Sequence, residues 1–593
     1  MKSDIRTLCA AFQRTSAAHP DAVALRTPDD SVSLTWGEYA ARVRKVAAGL
    51  AGLGVGRGDT VALMLTNRPE FHVVDTGALH TGATPFSIYN TLATDQIAYL
   101  FSNAGNKVVI TEKQFLDKLV LANTAGQVEH FICVDDPGSD ADGVMTLAEL
   151  EASGDPDFDF DAAWQAVEPS DVLTLIYTSG TTGPPKGVEL THANLLAEMD
   201  ALHGYFPLSH EDKLVSYLPD AHIANRWGAH YNNMRYGIQI TTVADPKQLV
   251  ATLPLVRPTF FGAVPAVWYK VKAGIEAALA AEPDEKKRKI ANWAIATGTK
   301  VAWLKSDRKP VPLALKVQHR LAEKLVLGKL RERMGLDQVR VAATGASAIA
   351  PDALAFMLAL GVPVLEVWGM SETSAVVTMN PPDGIRIGTV GKVVPGGSEI
   401  SLAEDGELLV RGPLVMKGYR NDPVRTAEAI DSDGWMHTGD IATIDGDGYV
   451  KIVDRKKELI INAAGKNMSP QNIEGAVKVA CPLVMSVVAV GDDRPFVTAL
   501  LTLDPDACAA YAAKVGLPDA SPAVLAEDET VKALIQGGID QANEKLARVE
   551  QIKKFAILPS TWEPGGDELT PTMKLKRRPI AEKYAPEIDA LYA

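Results

Sequence analysis

The feature that most constrains this chain is a sustained alternation of helix-like and strand-like segments. Residues 36–53 repeat apolar positions at helical spacing and stop at Gly54; 60–65 form an apolar strand-like run, 69–81 return to helix, and 108–111 to strand. The rhythm continues through apolar runs at 172–177, 213–218, 238–243, 260–264, 339–344 and 362–368. Strands separated by helices pair in parallel, so the expected class is α/β, a largely parallel sheet system covered by helices. At 593 residues one hydrophobic core cannot serve the whole chain, and several folding units are expected.

Two stretches break the rhythm. Residues 270–335 are mostly helical and charge-rich, including Glu282, Asp284, Glu285, Lys286, Lys287, Arg288 and Lys289. The plain reading is a solvated helical insertion; contact with a membrane surface is the lesser one, because these bases are mixed with acids. From about 388 to 456 short strands and tight turns dominate, with Asp445-Gly446-Asp447-Gly448 at one of them, and a β-rich subdomain is expected. Beyond it a smaller mobile α+β unit is expected over 457–593, leaving 1–456 as a large N-terminal domain of helix-covered mixed sheets with the β-rich subdomain.

Bulk properties exclude several classes. The formal net charge of -15 opposes nonspecific nucleic-acid binding. Cys9, Cys133, Cys481 and Cys508 are too scattered for a zinc site or a disulfide framework, which fits a reduced, cytoplasmic chain. No apolar run approaches the roughly 20 residues that span a bilayer.

The segment Tyr177-Thr178-Ser179-Gly180-Thr181-Thr182-Gly183-Pro184-Pro185-Lys186-Gly187 joins glycines, hydroxyls and one cation after an apolar run. Glycine lets backbone N–H groups turn toward an anion, so the loop reads as a polyphosphate cradle. It is not a Walker A loop, because Pro185 precedes Lys186 and Gly187 follows it. No GxGxxG turn joins a suitable strand and helix, which disfavours a dinucleotide oxidoreductase.

Further segments follow in order: SYLPDAHIANRW at 216–227, TGASAI at 344–349, EVWGMSET at 366–373, DGWMHTGD at 433–440, DRKKELIINAAGKNMSP at 454–470 and LTPTMKLKRR at 569–578. With the first loop they make the chain resemble the adenylate-forming superfamily, and within it the long-chain acyl-CoA synthetases, over nearly its whole length. The resemblance implies two half-reactions: a carboxylic acid and ATP give acyl-AMP and pyrophosphate, then CoA takes the acyl group and releases AMP. It implies a mobile C-terminal lid, Mg²⁺, a medium- to long-chain fatty acid, and ATP and CoA as cosubstrates. A ligase for another hydrophobic acid, a fatty acyl-AMP ligase and a noncatalytic nucleotide-binding regulator are the alternatives.

On that resemblance Thr178, Ser179, Gly180, Thr181, Thr182, Gly183 and Lys186 hold the β- and γ-phosphates, while Glu372 and Thr178 ligate Mg²⁺ directly or through water. Gly345, Ala346 and Ser347 form the adenine-side loop; Trp368, in place of the family's usual Tyr, offers a stacking face, followed by Gly369, Met370 and Ser371. Asp440 accepts from the ribose hydroxyls and Arg455 reinforces ribose or phosphate binding. Lys457 takes the hinge position and Lys466 approaches the thiol channel. Lys574 bridges carboxylate and phosphate oxygens during adenylation, with Lys576 the alternative register, and His222 contacts substrate near its carboxylate. Trp227 reads either as an aromatic gate to the acyl tunnel or as core.

Overall fold

The computed structural model describes residues 5–138, 141–178, 184–463 and 466–593. A five-stranded, wholly parallel sheet runs in the order Thr84–Ser87, Thr60–Met64, Val108–Thr111, His130–Cys133, Val144–Thr146. The helix Trp36–Gly52 that covers it begins at a capping box: Glu38 N–H donates to Thr35 Oγ1 (3.2 Å) and Thr35 N–H to Glu38 Oε2 (2.8 Å). Its buried stripe of Tyr39, Val43, Val46, Ala47 and Leu50 packs on the helix Pro69–His80. A Cβ on Gly77 would lie 2.5 Å from Val46 Cγ1, so glycine sets how closely these helices approach.

A second sheet orders Lys213–Ser216, Gln239–Thr242 and Val23–Arg26 in parallel and closes with antiparallel Ser33–Thr35. In the third, parallel Phe260–Ala263, Val341–Thr344 and Val364–Trp368 are extended by antiparallel Thr378–Met379 and Lys392–Val393. The sheets are therefore mixed.

One expectation fails in detail. Val172–Thr178 does not continue the parallel rhythm but pairs antiparallel with Lys186–Thr191, and Gly418–Tyr419 adds to the outer edge. The expected phosphate loop thus connects two antiparallel strands, and Lys186 opens the second one. The alternation of Val188 and Leu190 carries the signal for the second strand, next to turn-forming residues that equally suit a loop.

Residues 270–335 are helical as expected, in Pro265–Ala280, Glu285–Ser306, Leu313–Ala322 and a wide turn Glu323–Leu327 leading into Gly328–Arg333. They are joined intimately to the large domain: a Cβ on Gly298 would sit 2.5 Å from Ala359 O of the helix Pro351–Ala359.

The β-rich region is an antiparallel sheet of Glu399–Leu402, Glu407–Arg411, Met436–Ile444 and Val450–Arg455. Its last turn is fixed by Asp445 Oδ1, which accepts from Asp447 N–H and Tyr449 N–H at 2.9 Å each, and by Gly448 at φ 82°.

The smaller α+β domain is built on Val484–Val490, Val497–Leu503 and Ile552–Leu558. Successive strand residues face opposite sides: Val487 and Leu501 bury against Ile473, Val477 and Ile535, while Val488 and Leu500 bury against Trp562, Ile580 and Ile588.

Candidate active site

Two loops converge because they leave the same ends of neighbouring strands. Val341–Thr344 and Val364–Trp368 are adjacent and parallel, so residues 345–347 and 369–373 emerge side by side at their carboxyl ends, where open α/β sheets bind ligands. The approach is tight. A Cβ on Gly345 would fall 2.7 Å from Val367 Cγ2, and one on Gly369 1.9 Å from Ala375 O. Ala346 adopts φ 67° and, with Ser347, stays exposed beside the crevice. Met370 and Ser371 lead into a single 3₁₀ turn, Ser371–Thr373, which buries Glu372.

Thr178 and Lys186 are the last register pair of the hairpin. Ser179, Gly180, Thr181, Thr182 and Gly183, assigned to phosphate binding, lie outside the described residues, as does Gly465. Lys186 Nζ donates to Tyr419 OH at 2.9 Å and lies 4.2 Å from the ring centroid; the same hydroxyl donates to Glu372 Oε1 at 3.0 Å. Tyr419 therefore joins the expected phosphate lysine to the expected metal carboxylate. Sequence reasoning missed it, since an aromatic after Gly418 in an edge strand carries no distinctive spacing. Burial lowers the pKa of Lys186, offset in part by Glu372; Arg425 and Lys457 push it down further.

Asp440 and Arg455 face each other on adjacent strands, with Arg455 Nε 3.1 Å from Asp440 Oδ1. Asp440 Oδ2 accepts the indole N–H of Trp368 at 2.8 Å. The tryptophan is thus tied by its edge to the carboxylate assigned to ribose, across the boundary between the parallel sheet and the β-rich sheet.

Lys574 reaches this cluster from the small domain. It ends a tight turn in which Lys574 N–H donates to Thr570 Oγ1 (3.0 Å), Thr570 N–H donates to Lys574 O (2.8 Å) and Met573 takes φ 63°. The side chain keeps accessible area, yet surrounding protein desolvates its amine and lowers its pKa; Arg455 lowers it further, while Asp440, Glu372 and Glu458 act oppositely. Lys576 instead donates to Gly566 O at 2.7 Å within its own domain. Of the two lysines, only Lys574 enters the electrostatic environment of Asp440 and Glu372. Lys466 is exposed, and its backbone N–H donates to Asn462 Oδ1 at 3.0 Å within the hairpin.

His222 is half-buried and its Nδ1 accepts from Ala224 N–H at 3.1 Å, capping the short helix Ile223–Asn225. Burial, with Lys574 nearby, lowers its pKa to about 4 and keeps it neutral at pH 7. Its segment is anchored by a buried polar network. Arg226 Nη1 donates to Asp75 Oδ2 (2.6 Å) and Nη2 to Ser87 Oγ (2.9 Å), and His230 Nε2 lies 2.9 Å from Asp75 Oδ1. Burial raises the Asp220 carboxyl to about 8, with Asn225 Nδ2 donating to it at 2.6 Å. Trp227 is buried edge-on to Phe260, and its indole N–H has no hydrogen-bond partner. It borders an apolar pocket with Met199, Leu202, Phe206 and Tyr236.

Among the described residues, no three His, Cys, Asp or Glu side chains converge as a metal cage. A single buried carboxylate, Glu372, near hydroxyls and a lysine suits a hard cation that takes most of its oxygens from phosphate and water.

This geometry agrees with the relationships of the chain. The AMP-binding enzyme family matches residues 12–420, and the AMP-binding enzyme C-terminal domain matches 457–593. The chain belongs to this family of AMP-binding, adenylate-forming enzymes. It is 54% identical over 76% of its length, and 79% of the relative's, to a Mycobacterium tuberculosis (strain H37Rv) protein provisionally named fatty-acid–CoA ligase fadD11. It is 36% identical, over 97% of this chain and 95% of the relative, to the long-chain-fatty-acid–CoA ligase FadD15 of the same strain. In fold it matches the anthranilate CoA ligase AuaEII in complex with anthranoyl-AMP (TM-score 0.72, 19% identity, 97% of both chains).

Proposed function

We propose that this chain is an ATP-dependent fatty acyl-CoA synthetase that takes medium- to long-chain acids. The observation that carries the reading is the convergence of Lys574, from the small domain, with Asp440, Arg455 and Glu372 of the large one. A nucleotide-binding protein has no need of a desolvated cation delivered by a second domain. An enzyme that brings a carboxylate to a triphosphate does, because both partners are anionic and their approach is repulsive in a water-poor cleft.

In this reading Asp440 accepts from the ribose hydroxyls, fixed in direction by Trp368 and Arg455, and the loops 345–347 and 368–371 line the adenine. Thr178, Lys186 and the intervening hydroxyls hold the β- and γ-phosphates. Mg²⁺, held by Glu372 with Thr178, would screen phosphate charge. Lys574 neutralises the acid's carboxylate against the α-phosphate as its oxygen attacks phosphorus and pyrophosphate leaves. Neutral His222 borders the carboxylate without adding charge. The small domain, taken as 457–593, then pivots at Lys457 so that Lys466 and its hairpin meet the CoA thiol, which attacks the acyl carbonyl and expels AMP.

Exchange of labelled pyrophosphate into ATP tests the first half-reaction. The reading requires exchange that depends on added fatty acid; absence of exchange with every fatty acid tried would leave it without support.

A further inference from the structure

The helix Leu313–Ala322, continued by the wide turn Glu323–Leu327 into Gly328–Arg333, carries an apolar ridge on its outer face. Leu313, Val317, Leu321 and Leu325 are four residues apart and 78%, 59%, 50% and 45% exposed. Four-residue spacing stacks them on one side of the helix. The inner face, including Ala322 and Leu327, is already buried and packs on the helix Glu285–Ser306. A helix bathed only in water carries polar residues across its outer face, whereas this one runs a continuous apolar ridge along it.

A second ridge runs beside the first. Lys316, Arg320 and Lys324 each precede an apolar ridge residue by one position, are exposed, and have no ion-pair or hydrogen-bond partner among the described residues. Residues 305–333 hold nine Lys and Arg against three Asp and Glu, in a chain whose net charge is -15. Two of the three acids are occupied locally: Asp307 pairs with Lys309 at 2.9 Å and Glu323 with Arg331. The mixing of signs that argued against membrane contact belongs to 282–289; the structure separates that stretch from a basic helix with an apolar edge.

We infer that this helix docks the enzyme on an anionic bilayer surface, with Leu313, Val317, Leu321 and Leu325 entering the headgroup boundary and Lys316, Arg320 and Lys324 on lipid phosphates. Apolar and cationic ridges side by side complement such a surface in both hydrophobicity and charge. The helical run from 313 to 333 lies along the plane for about 30 Å at 1.5 Å per residue. Among the described residues no helix is long and apolar enough to cross a membrane, so the attachment is interfacial. The inference stands apart from the identity of the acid that the enzyme activates.

Cosedimentation of the full chain with phosphatidylcholine vesicles, with and without phosphatidylglycerol, tests it. Binding is expected only with phosphatidylglycerol and is expected to weaken at high salt. The triple substitution K316Q/R320Q/K324Q is expected to weaken it on the order of 100-fold, from about 1 kcal/mol per cation. Val317→Glu with Leu321→Glu is expected to abolish binding with circular dichroism and melting unchanged, since both sites are exposed. Failure of the wild-type chain to bind phosphatidylglycerol vesicles overturns the inference, as does binding indifferent to these substitutions. A wild-type dimer that Leu321→Glu dissociates would assign the ridge to a second copy and also overturn it.

Discussion

Trp368 and Asp440 are joined by a 2.8 Å hydrogen bond from the indole N–H to Oδ2, and that bond couples the end of a parallel strand to the β-rich sheet. Arg455 holds the other carboxylate oxygen from the facing strand. The carboxylate is oriented before any nucleotide arrives, so part of the ordering cost of binding is met in the fold.

Asp440→Ala is therefore expected to weaken ATP binding. Hydrogen bonds to a charged group contribute about 1.5–3 kcal/mol, which corresponds to roughly a 10- to 100-fold rise in Kd. Nucleotide titration by calorimetry checks it, and an unchanged Kd would remove Asp440 from the ribose site.

Lys574→Ala is expected to reduce adenylation by roughly 10²–10³-fold, the scale of losing one preorganised electrostatic partner. Thioester formation from supplied acyl-adenylate should persist, because that step lacks the triphosphate whose repulsion the amine offsets. Lys576→Ala, whose amine serves Gly566 O, should leave the adenylation rate near wild type. Single-turnover assays of each half-reaction separate these outcomes.

Most of the fold was legible because periodicity reports burial. The strands Val108–Thr111, Glu407–Arg411 and Val484–Val490 fall where apolar runs place them, and the helix Trp36–Gly52 starts at its capping box. The hairpin of Val172–Thr178 with Lys186–Thr191 was not legible, because an apolar strand reads alike whether its neighbour is parallel or antiparallel. The separation of Lys574 from Lys576 followed from motif spacing, and the turn at Thr570 gives it a physical cause. Tyr419 and the Asp75 network were invisible for a different reason. Their partners are 47 to 233 residues away, and no local pattern encodes such pairings.

That network yields a stability prediction. Asp75, Arg226 and His230 are all fully buried, so removing the carboxylate strands the Arg226 cation. Asp75→Ala is expected to destabilise the large domain by about 3–5 kcal/mol. Urea denaturation followed by tryptophan fluorescence measures it, and a loss below 1 kcal/mol would contradict an isolated ion cluster.

Glu366 gives a pH dependence. Burial raises its carboxyl to about 8, backbone N–H groups of Gly388 and Ile349 oppose the rise, and Oε2 has no partner. The folded chain keeps this proton where the unfolded chain, at the ordinary 4.5, has released it. Stability from the group is complete below about pH 4.5 and is lost as pH rises toward 8. Glu366→Gln has no proton to lose, so its urea midpoint should gain on wild type from pH 5 to pH 8. A constant difference would refute the protonated carboxyl.

The central claim is the two-step conversion of a fatty acid to its CoA thioester on this Lys574-centred site. Mass spectrometry of products after incubation with MgATP and a graded panel of fatty acids, with and without CoA, tests it most directly. The account predicts acyl-AMP without CoA, and acyl-CoA with AMP when CoA is present. Acyl-AMP that persists despite CoA, or no adenylate from any fatty acid, would contradict it.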